Sequence, residues 1–333
     1  MSTGLVTIDL FAGAGGLSLG LRRAGFDVVL AVERDADSCK TFLGHHPGVD
    51  LRDGDIVEVD FVPFSGQVDV VVGGPPCQPF STGGKGLANE DPRDATPEFA
   101  RAIRQVRPRA FLMENVPGLV HRSHRTYFDK LSGSLQDLGF ELNWQVLDAS
   151  DFGAPQKRRR LFLVGIREKA FVFPSPTHAS SPHRGKVPAS TVVTAERIIG
   201  EPNPSIVTYA RAPDLRPSPY DGHLWNGGGR PIDLTRPSPT VLAAAGGNKT
   251  HWIDTELVVP AYHRHLVTGG KPREGRVPGA RRLTVEESAL LQTFPSSVVF
   301  EGSRSSRYTQ VGNAVPPVVA EVLGEALRDQ LSP

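Results

Sequence analysis

The sequence predicts an α/β fold: a doubly wound, mostly parallel sheet with a second, smaller, loop-rich domain. Three observations predict it. Short β-branched runs alternate with amphipathic stretches through the first half of the chain, as strands alternate with crossover helices. A glycine-rich turn, Gly13–Gly16, follows the first run, at the sheet edge where α/β folds bind ligands. From Phe173 to about Arg236 the chain is rich in Pro, Ser and Gly and loses its periodicity, as a loop-rich insertion does.

The elements follow in order. Leu5–Leu10 reads as a strand ending in the glycine turn, and Leu17, Leu21 and Ala24 recur at helical spacing before Gly25. Val28–Val32 and Val68–Val72 read as further strands. Thr96 and Pro97 look like an N-cap and a first helical residue, with Phe99, Ile103 and Val106 on one face and Pro108 beyond. Ala110–Met113 is strand-like. Phe128, Leu131, Leu135 and Leu138 mark a helix closed by Gly139, and Leu142–Leu147 and Leu161–Ile166 are two more strands. Regular pattern returns near Leu283–Gln292. The last element, Val318 to Leu327, is apolar along one side.

Composition narrows the class. The net charge of +1 announces no polyanion partner, so a nucleic-acid surface must come from local clusters. Two cysteines, Cys39 and Cys77, make no disulfide framework in 333 residues and suit a reducing compartment. The N-terminal residues lack a basic region and a long apolar run, so no signal peptide is expected. No stretch approaches the roughly 20 apolar residues of a membrane helix. The expectation is a soluble, cytoplasmic protein, without membrane association.

Four motifs carry chemistry. In Asp9-Leu10-Phe11-Ala12-Gly13-Ala14-Gly15-Gly16 the glycines allow a ligand close to the backbone. Glu33, twenty residues beyond Gly13, suits a ribose diol, and Gly54-Asp55-Ile56 could offer an acceptor to an adenine amino group. These alone do not separate a nicotinamide dinucleotide from another adenosine ligand. In Gly73-Gly74-Pro75-Pro76-Cys77-Gln78-Pro79-Phe80-Ser81 two prolines stiffen the backbone before a cysteine. A lone cysteine is commonly an inert core residue, and Cys39 reads that way. Cys77, on a turn at the ligand edge, is a candidate nucleophile. Glu114-Asn115-Val116 follows a strand, where a glutamate can pair, cap a helix or act in catalysis. In Gln156-Lys157-Arg158-Arg159-Arg160 a strand's alternation would turn Arg158 and Arg160 together into a cleft, with Lys157 and Arg159 pointing away.

These motifs occur in this order with Arg236-Pro237-Ser238-Pro239-Thr240-Val241 and Gln310-Val311-Gly312-Asn313-Ala314-Val315-Pro316-Pro317. With them the chain resembles the DNA (cytosine-5) methyltransferase family, of the bacterial type, over nearly its whole length. Arg281-Arg282-Leu283-Thr284-Val285-Glu286-Glu287, leading to Thr293-Phe294-Pro295, also resembles the family's segment before its last motif. The likeness is weakest between Pro174 and Thr235, where the family places its target-recognition region. Pro79 stands where many members have Gly.

The resemblance implies a Rossmann-like S-adenosylmethionine-dependent catalytic domain over 1–173 plus 308–333. A target-recognition domain would span 174–282 and a hinge segment 283–307. Cys77 would add as a thiolate to cytosine C6, making C5 nucleophilic enough to accept a methyl group. Glu114, kept protonated by desolvation, would serve N3. Arg158 and Arg160 would contact the cytosine O2 and groups around the nucleophile loop. S-adenosylmethionine, with S-adenosylhomocysteine as product, would be held by Phe11, Gly13, Gly15, Gly16, Glu33, Asp55, Ile56, Pro75 and Asn313. No metal is expected.

The implied partner is double-stranded DNA, with the target base flipped out at a cost of roughly a few kcal/mol. The glycine-rich segment Thr82–Ala95 reads as a loop closing over DNA, with Ser81, Gly83 and Lys85 as contacts. His121–Arg125 and the basic stretch from His263 to Arg282, including Arg264, Lys271, Arg273, Arg276, Arg281 and Arg282 against Glu274 alone, would meet phosphates. Arg211, Arg216, Asn226, Arg230 and Asn248 are candidate base readers. A monomer is expected, and a cognate restriction endonuclease would act separately. The rivals are a tRNA cytosine-C5 methyltransferase of the same superfamily, a catalytically inactive DNA-binding relative and a nicotinamide oxidoreductase. Intact Cys77, Glu114, Arg158 and Arg160 disfavour the second, and the third leaves Pro75–Ser81 unexplained.

Overall fold

The computed structural model describes residues 4–76, 94–178, 206–209, 215–217, 222–226, 230–232, 234, 236–245, 250–254 and 256–332. Seven strands form the main sheet: β1 (Val6–Leu10), β2 (Asp27–Glu33), β3 (Asp50–Asp53), β4 (Val70–Gly73), β5 (Ala110–Asn115), β6 (Phe140–Asp148) and β7 (Arg159–Arg167). Their order is β3-β2-β1-β4-β5-β7-β6. The first five are parallel, whereas β7 runs antiparallel to both β5 and β6.

The central strands β1, β4 and β5 are buried at almost every position because both faces of the sheet are covered. Val71, Phe111, Met113, Leu161 and Leu163 face one core, with Phe99 and Ile103 of α3 (Thr96–Val106) and Phe128, Leu131 and Leu135 of α4 (Arg125–Gln136). Val70, Val72, Leu112, Phe162 and Val164 face the other. Leu17 and Leu21 of α1 (Gly16–Arg23) and Leu323 and Leu327 of the C-terminal helix cover that side. α2 (Ala36–His45) lies against β2. In the second half stand α5 (Val258–Val267), α6 (Val285–Leu291), α7 (Arg304–Asn313) and α8 (Pro317–Leu331).

α8 returns across almost the whole chain to pack on α1. Gly20 permits the contact: a Cβ there would come within 2.3 Å of the Pro317 carbonyl oxygen and 2.5 Å of Ala320 Cβ. Arg328 Nη1 adds a hydrogen bond to the Ala24 carbonyl at 2.7 Å.

A second, four-stranded sheet combines β8 (Ile206–Thr208), β11 (Arg230–Ile232), β12 (His251–Asp254) and β13 (Arg276–Arg282) in the order β11-β12-β13-β8. β9 (Arg216–Pro217) and β10 (Leu224–Trp225) form a short pair. Tyr209, Trp225, Trp252 and Tyr262 build this region's core with Val207, Val259 and Val277.

Several local expectations change. Ala95, not Thr96, is the N-cap of α3, because the Thr96 hydroxyl is spent on Asp94 Oδ1 at 2.8 Å. β5 runs through Glu114 and Asn115 rather than stopping at Met113, and β7 already includes Arg159 and Arg160. The stretch from Phe173 to Arg236, read as a loop-rich insertion without sustained periodicity, contributes β8 to β11. These strands are two or three residues long, too short to show alternation. α6 begins with a capping box between Thr284 and Glu287, which the Thr-x-x-Glu spacing encodes.

Candidate active site

Five parallel strands deliver five segments to one sheet edge: Phe11–Gly16 after β1, Glu33 at the end of β2, Gly54–Ile56 after β3, Gly74–Pro76 after β4, and Glu114 near the end of β5. β7 supplies a sixth from the opposite direction. It pairs antiparallel with β5, with Asn115 opposite Leu161 and Glu114 opposite Phe162. Arg160, at the start of β7, therefore arrives beside Glu114.

At the β1–β2 side the backbone does the positioning. Phe11 adopts φ 59° and Gly15 φ 80°, so the chain turns sharply before α1. Gly13 donates its amide to Glu33 Oε2 at 2.8 Å, and the amides of Arg34 and Asp35 donate to Oε1 at 2.9 and 2.8 Å. Three backbone donors thus orient one carboxylate at the mouth of the turn. A Cβ at Gly13 would meet nothing within 4 Å, so that residue faces open space, whereas Gly15 and Gly16 pack against protein. Asp55 is exposed and its Oδ1 accepts from the Val57 amide at 3.2 Å; buried Ile56 is fixed by Arg101 Nη2, which donates to its carbonyl at 2.7 Å. Asn313 ends α7 and is exposed, while Gly312 before it presses on Leu242 and Ala243.

Asp9, within the glycine motif, is fully buried. It accepts the Ser18 hydroxyl on Oδ2 at 2.6 Å, while Oδ1 has no hydrogen-bond partner. Burial pushes its carboxyl up to about 7, against the Ser18 hydrogen bond and with help from the Glu33 charge. Cys39 is buried as expected, its thiol pushed up to about 12 by burial and the nearby Asp53, Glu33 and Asp35.

The β5–β7 side is built from charge. Glu114 is buried, and Arg160 Nε stands 2.9 Å from its Oε1. This ion pair falls short of an aligned hydrogen bond, and Oε1 has no other donor. Burial pushes the Glu114 carboxyl up, and the cations of Arg160 and Arg158 oppose the shift. Glu114 Oε2 lies 3.3 Å from where a Cβ on Gly74 would stand, so the carboxylate borders the segment leading to Pro75 and Pro76. Asn115 Nδ2 donates to the Pro75 carbonyl at 3.1 Å and ties that segment to β5.

The arginine alternation appears as expected: Arg158 is buried and Arg160 half-buried, whereas Lys157 and Arg159 are exposed. The guanidinium of Arg158 is nevertheless committed to protein. Nη1 donates to the Val241 carbonyl at 3.1 Å and Nη2 to the Gly312 carbonyl at 2.8 Å, leaving only Nε without a partner. Beside it Gln156 accepts from the Val241 amide at 2.7 Å and donates to Gln292 Oε1 at 2.8 Å. Nothing local in the sequence signals these partners.

Cys77, Ser81, Gly83 and Lys85 lie outside the described residues, as do Arg211 and Asn248. Arg264, Lys271, Arg273 and Arg276 are exposed, and the Arg273 guanidinium lies 5.3 Å from the Tyr262 ring centre. Arg281 is not a free cation: it pairs at 3.0 Å with Glu287, which lies beyond the basic stretch His263–Arg282. Asn226 is buried and accepts from the Tyr262 hydroxyl at 2.7 Å, which makes it structural rather than an exposed reader. Among the described residues there is no cluster of metal-ligating side chains and no helix long and apolar enough to cross a membrane.

The family profile described as C-5 cytosine-specific DNA methylase matches residues 5–215 and 229–329. The type II methyltransferase M.PspPI of Psychrobacter sp. (strain TA137) is 35% identical over 344 residues, covering 96% of this chain and 78% of that protein. M.Eco47II of Escherichia coli is 34% identical over 339 residues, with the same coverage of 96% and 78%. The structure of S. pombe Dnmt2 methyltransferase shares the fold at TM-score 0.70 and 17% identity, covering 98% of this chain and 99% of that one. That of a Spodoptera frugiperda DNMT2 mutant does so at 0.69 and 19%, covering 97% and 100%. Together with a sheet edge that gathers the glycine turn, Glu33, Glu114 and Arg160, the profile match over most of the chain shows that it belongs to the C-5 cytosine-specific DNA methylase family, as a DNA (cytosine-5) methyltransferase.

Proposed function

We propose that this enzyme transfers a methyl group from S-adenosylmethionine to C5 of a flipped cytosine in a specific double-stranded DNA sequence, through a covalent bond between Cys77 and C6. The observation that carries the reading is the buried Glu114 carboxyl, pushed toward its neutral form, beside Arg160 and against the segment that leads into Pro75-Pro76-Cys77. A neutral carboxyl can donate a proton or hydrogen bond where an ionised one cannot.

The residues fit the methyl donor. Glu33 keeps one acceptor site on Oε2 after its three amide bonds and can accept a ribose hydroxyl there, and Gly13 opens onto free space. Phe11, Gly15, Gly16 and Pro75 would border the methionine part, Asp55 and Ile56 the adenine, and Asn313 the far side. S-adenosylmethionine supplies an electrophilic methyl on a sulfonium sulfur. On the protein side the Cys77 thiolate forms the S–C6 bond as the ring π electrons move toward N3, where Glu114 delivers its proton. C5 then takes the methyl, leaving S-adenosylhomocysteine, and loses its own proton to a base such as water as the S–C6 bond breaks to regenerate the thiolate, while N3 returns its proton to the Glu114 carboxylate. Arg160 would contact the cytosine O2. Arg158 acts by holding Val241 and Gly312, so its role is positioning.

The catalytic unit would comprise 1–173 plus 308–333, with target recognition in 174–282 and a hinge in 283–307. DNA phosphates would be met by Arg264 and Arg273, and by Ser81, Gly83 and Lys85 of the segment after Cys77. The enzyme would act as a monomer in the bacterial cytoplasm, with any cognate restriction endonuclease working separately. The reading is tested with duplex DNA containing 5-fluorocytosine, on which final proton loss is blocked. A denaturation-resistant complex that needs both Cys77 and S-adenosylmethionine is expected; none forming would overturn the covalent route. Bisulfite sequencing of DNA from expressing cells would identify the site, and methylation of tRNA in place of duplex DNA would overturn the substrate.

A further inference from the structure

Two consecutive histidines at the end of α2 lie behind the Gly13–Gly16 turn. His46 is fully buried. Its Nε2 stands 3.0 Å from the Gly15 carbonyl, which can only accept, so Nε2 carries the proton. Its Nδ1 stands 3.4 Å from Arg22 Nη1, which can only donate, so Nδ1 is the bare nitrogen. One neutral tautomer satisfies both contacts. The ring lies 4.4 Å from Phe42 and 4.3 Å from His45, centre to centre. A Cβ on Gly15 would come within 2.5 Å of His46 Nε2, so the imidazole fills the space that the missing side chain leaves. The Leu19 amide donates to the same carbonyl at 2.9 Å, so Gly15 is held from two sides.

We infer that His46 is a positioning residue for the methyl-donor site: its neutral imidazole holds the glycine turn from behind in the shape that binds S-adenosylmethionine. The inference rests on the reading that this turn borders the methyl donor. A turn already held in its bound shape does not have to be ordered by the ligand, and that preorganisation appears as affinity. The charged and titratable groups facing His46 are Arg22 from α1 and His45 on its own helix. Both oppose an imidazolium, and burial opposes it most, pushing the His46 pKa down to about 3. An added proton on Nδ1 would also point at the Arg22 guanidinium. His45 uses the other tautomer, donating from Nδ1 to the Thr41 carbonyl at 2.8 Å, and its pKa too is lowered by burial.

The test is titration calorimetry of S-adenosylhomocysteine with the full chain, alongside steady-state kinetics and melting temperature. His46→Phe keeps a ring and removes the donor; we expect about tenfold weaker binding and a similar rise in KM for S-adenosylmethionine, with kcat at saturation within about twofold. His46→Gln can still donate to the Gly15 carbonyl and should recover to within about threefold. Wild-type affinity should stay flat from pH 8 to 5. Unchanged affinity in His46→Phe, or a fall in kcat with KM untouched, would overturn the inference. So would a wild-type loss of affinity near pH 6.5 that His46→Gln lacks. If His46→Phe does not fold, a folded His46→Gln decides: a tenfold loss there overturns the inference, and retained affinity supports it. Failure of the wild type itself to bind S-adenosylhomocysteine would instead overturn the parent reading of the turn, and the inference with it.

Discussion

Glu33 and Glu114 occupy equivalent places, each near the carboxyl end of a parallel strand, yet they are built for opposite tasks. Glu33 is half-buried and takes three backbone amides at 2.8 to 2.9 Å, so its carboxylate is held in one orientation. Glu114 is buried, its Oε1 has only the Arg160 guanidinium beside it and no aligned hydrogen bond, and burial pushes its carboxyl toward the neutral acid. Sheet topology decides where a carboxylate stands, and the local donors decide what it can do there. One edge of one sheet thereby offers a binding end and a proton-handling end.

The largest expected effect lies at the proton-handling end. Cys77→Ala should abolish methyl transfer, read as label incorporated into DNA, while S-adenosylhomocysteine affinity stays within about threefold, because the thiol enters only the chemical step. Glu114→Gln should lower kcat by about a hundredfold to ten-thousandfold, the usual range for a general acid, again with donor affinity nearly unchanged. Its pH profile sharpens the comparison. The folded pKa of Glu114 is raised, so the active protonated form is full at low pH and is lost as pH rises through that pKa. The wild type should show this alkaline loss of kcat and Glu114→Gln should lack it.

At the binding end the pattern should reverse. Glu33→Ala should raise KM for the methyl donor about tenfold to a hundredfold, the loss of hydrogen bonds to a charged group, with little change in kcat at saturation. A kcat defect in Glu33→Ala, or a donor-affinity defect in Glu114→Gln, would break the division between the two ends. The smallest effect concerns Asp9, which lies between them. Its folded pKa of about 7 exceeds its ordinary 3.8, so the stability of its neutral form is full below about pH 4 and lost as pH rises through 7. The melting temperature should therefore fall between pH 5 and 8 by about 3 °C or more, and Asp9→Asn should flatten that slope.

Features set by local pattern were legible in the sequence. The strands β1, β2, β4, β5 and β7 follow apolar β-branched runs, and two-residue alternation alone separates buried Arg158 and half-buried Arg160 from exposed Lys157 and Arg159. Features set by partners distant along the chain were not. The bonds from Arg158 to Val241 and Gly312, from Arg281 to Glu287 and from His46 to Gly15 leave no periodic trace. The second sheet was hidden for a different reason. Its shortest strands hold three residues, and Val207, Trp252 and Val277 are buried in an aromatic cluster assembled from separate segments.

The packing of α8 on α1 also bears on how the protein is made. Synthesis releases Leu17 and Leu21 early, but Leu323 and Leu327, which share their core, emerge about three hundred residues later. Until then one face of the growing sheet lacks part of its cover, and that apolar surface is open to chaperones or to other nascent chains. The carbonyl of Gly312 that anchors Arg158 arrives in the same late stretch. A ribosome-bound chain that stops short of it has the glycine turn, Glu33 and Glu114 in hand but not the carbonyl that anchors Arg158.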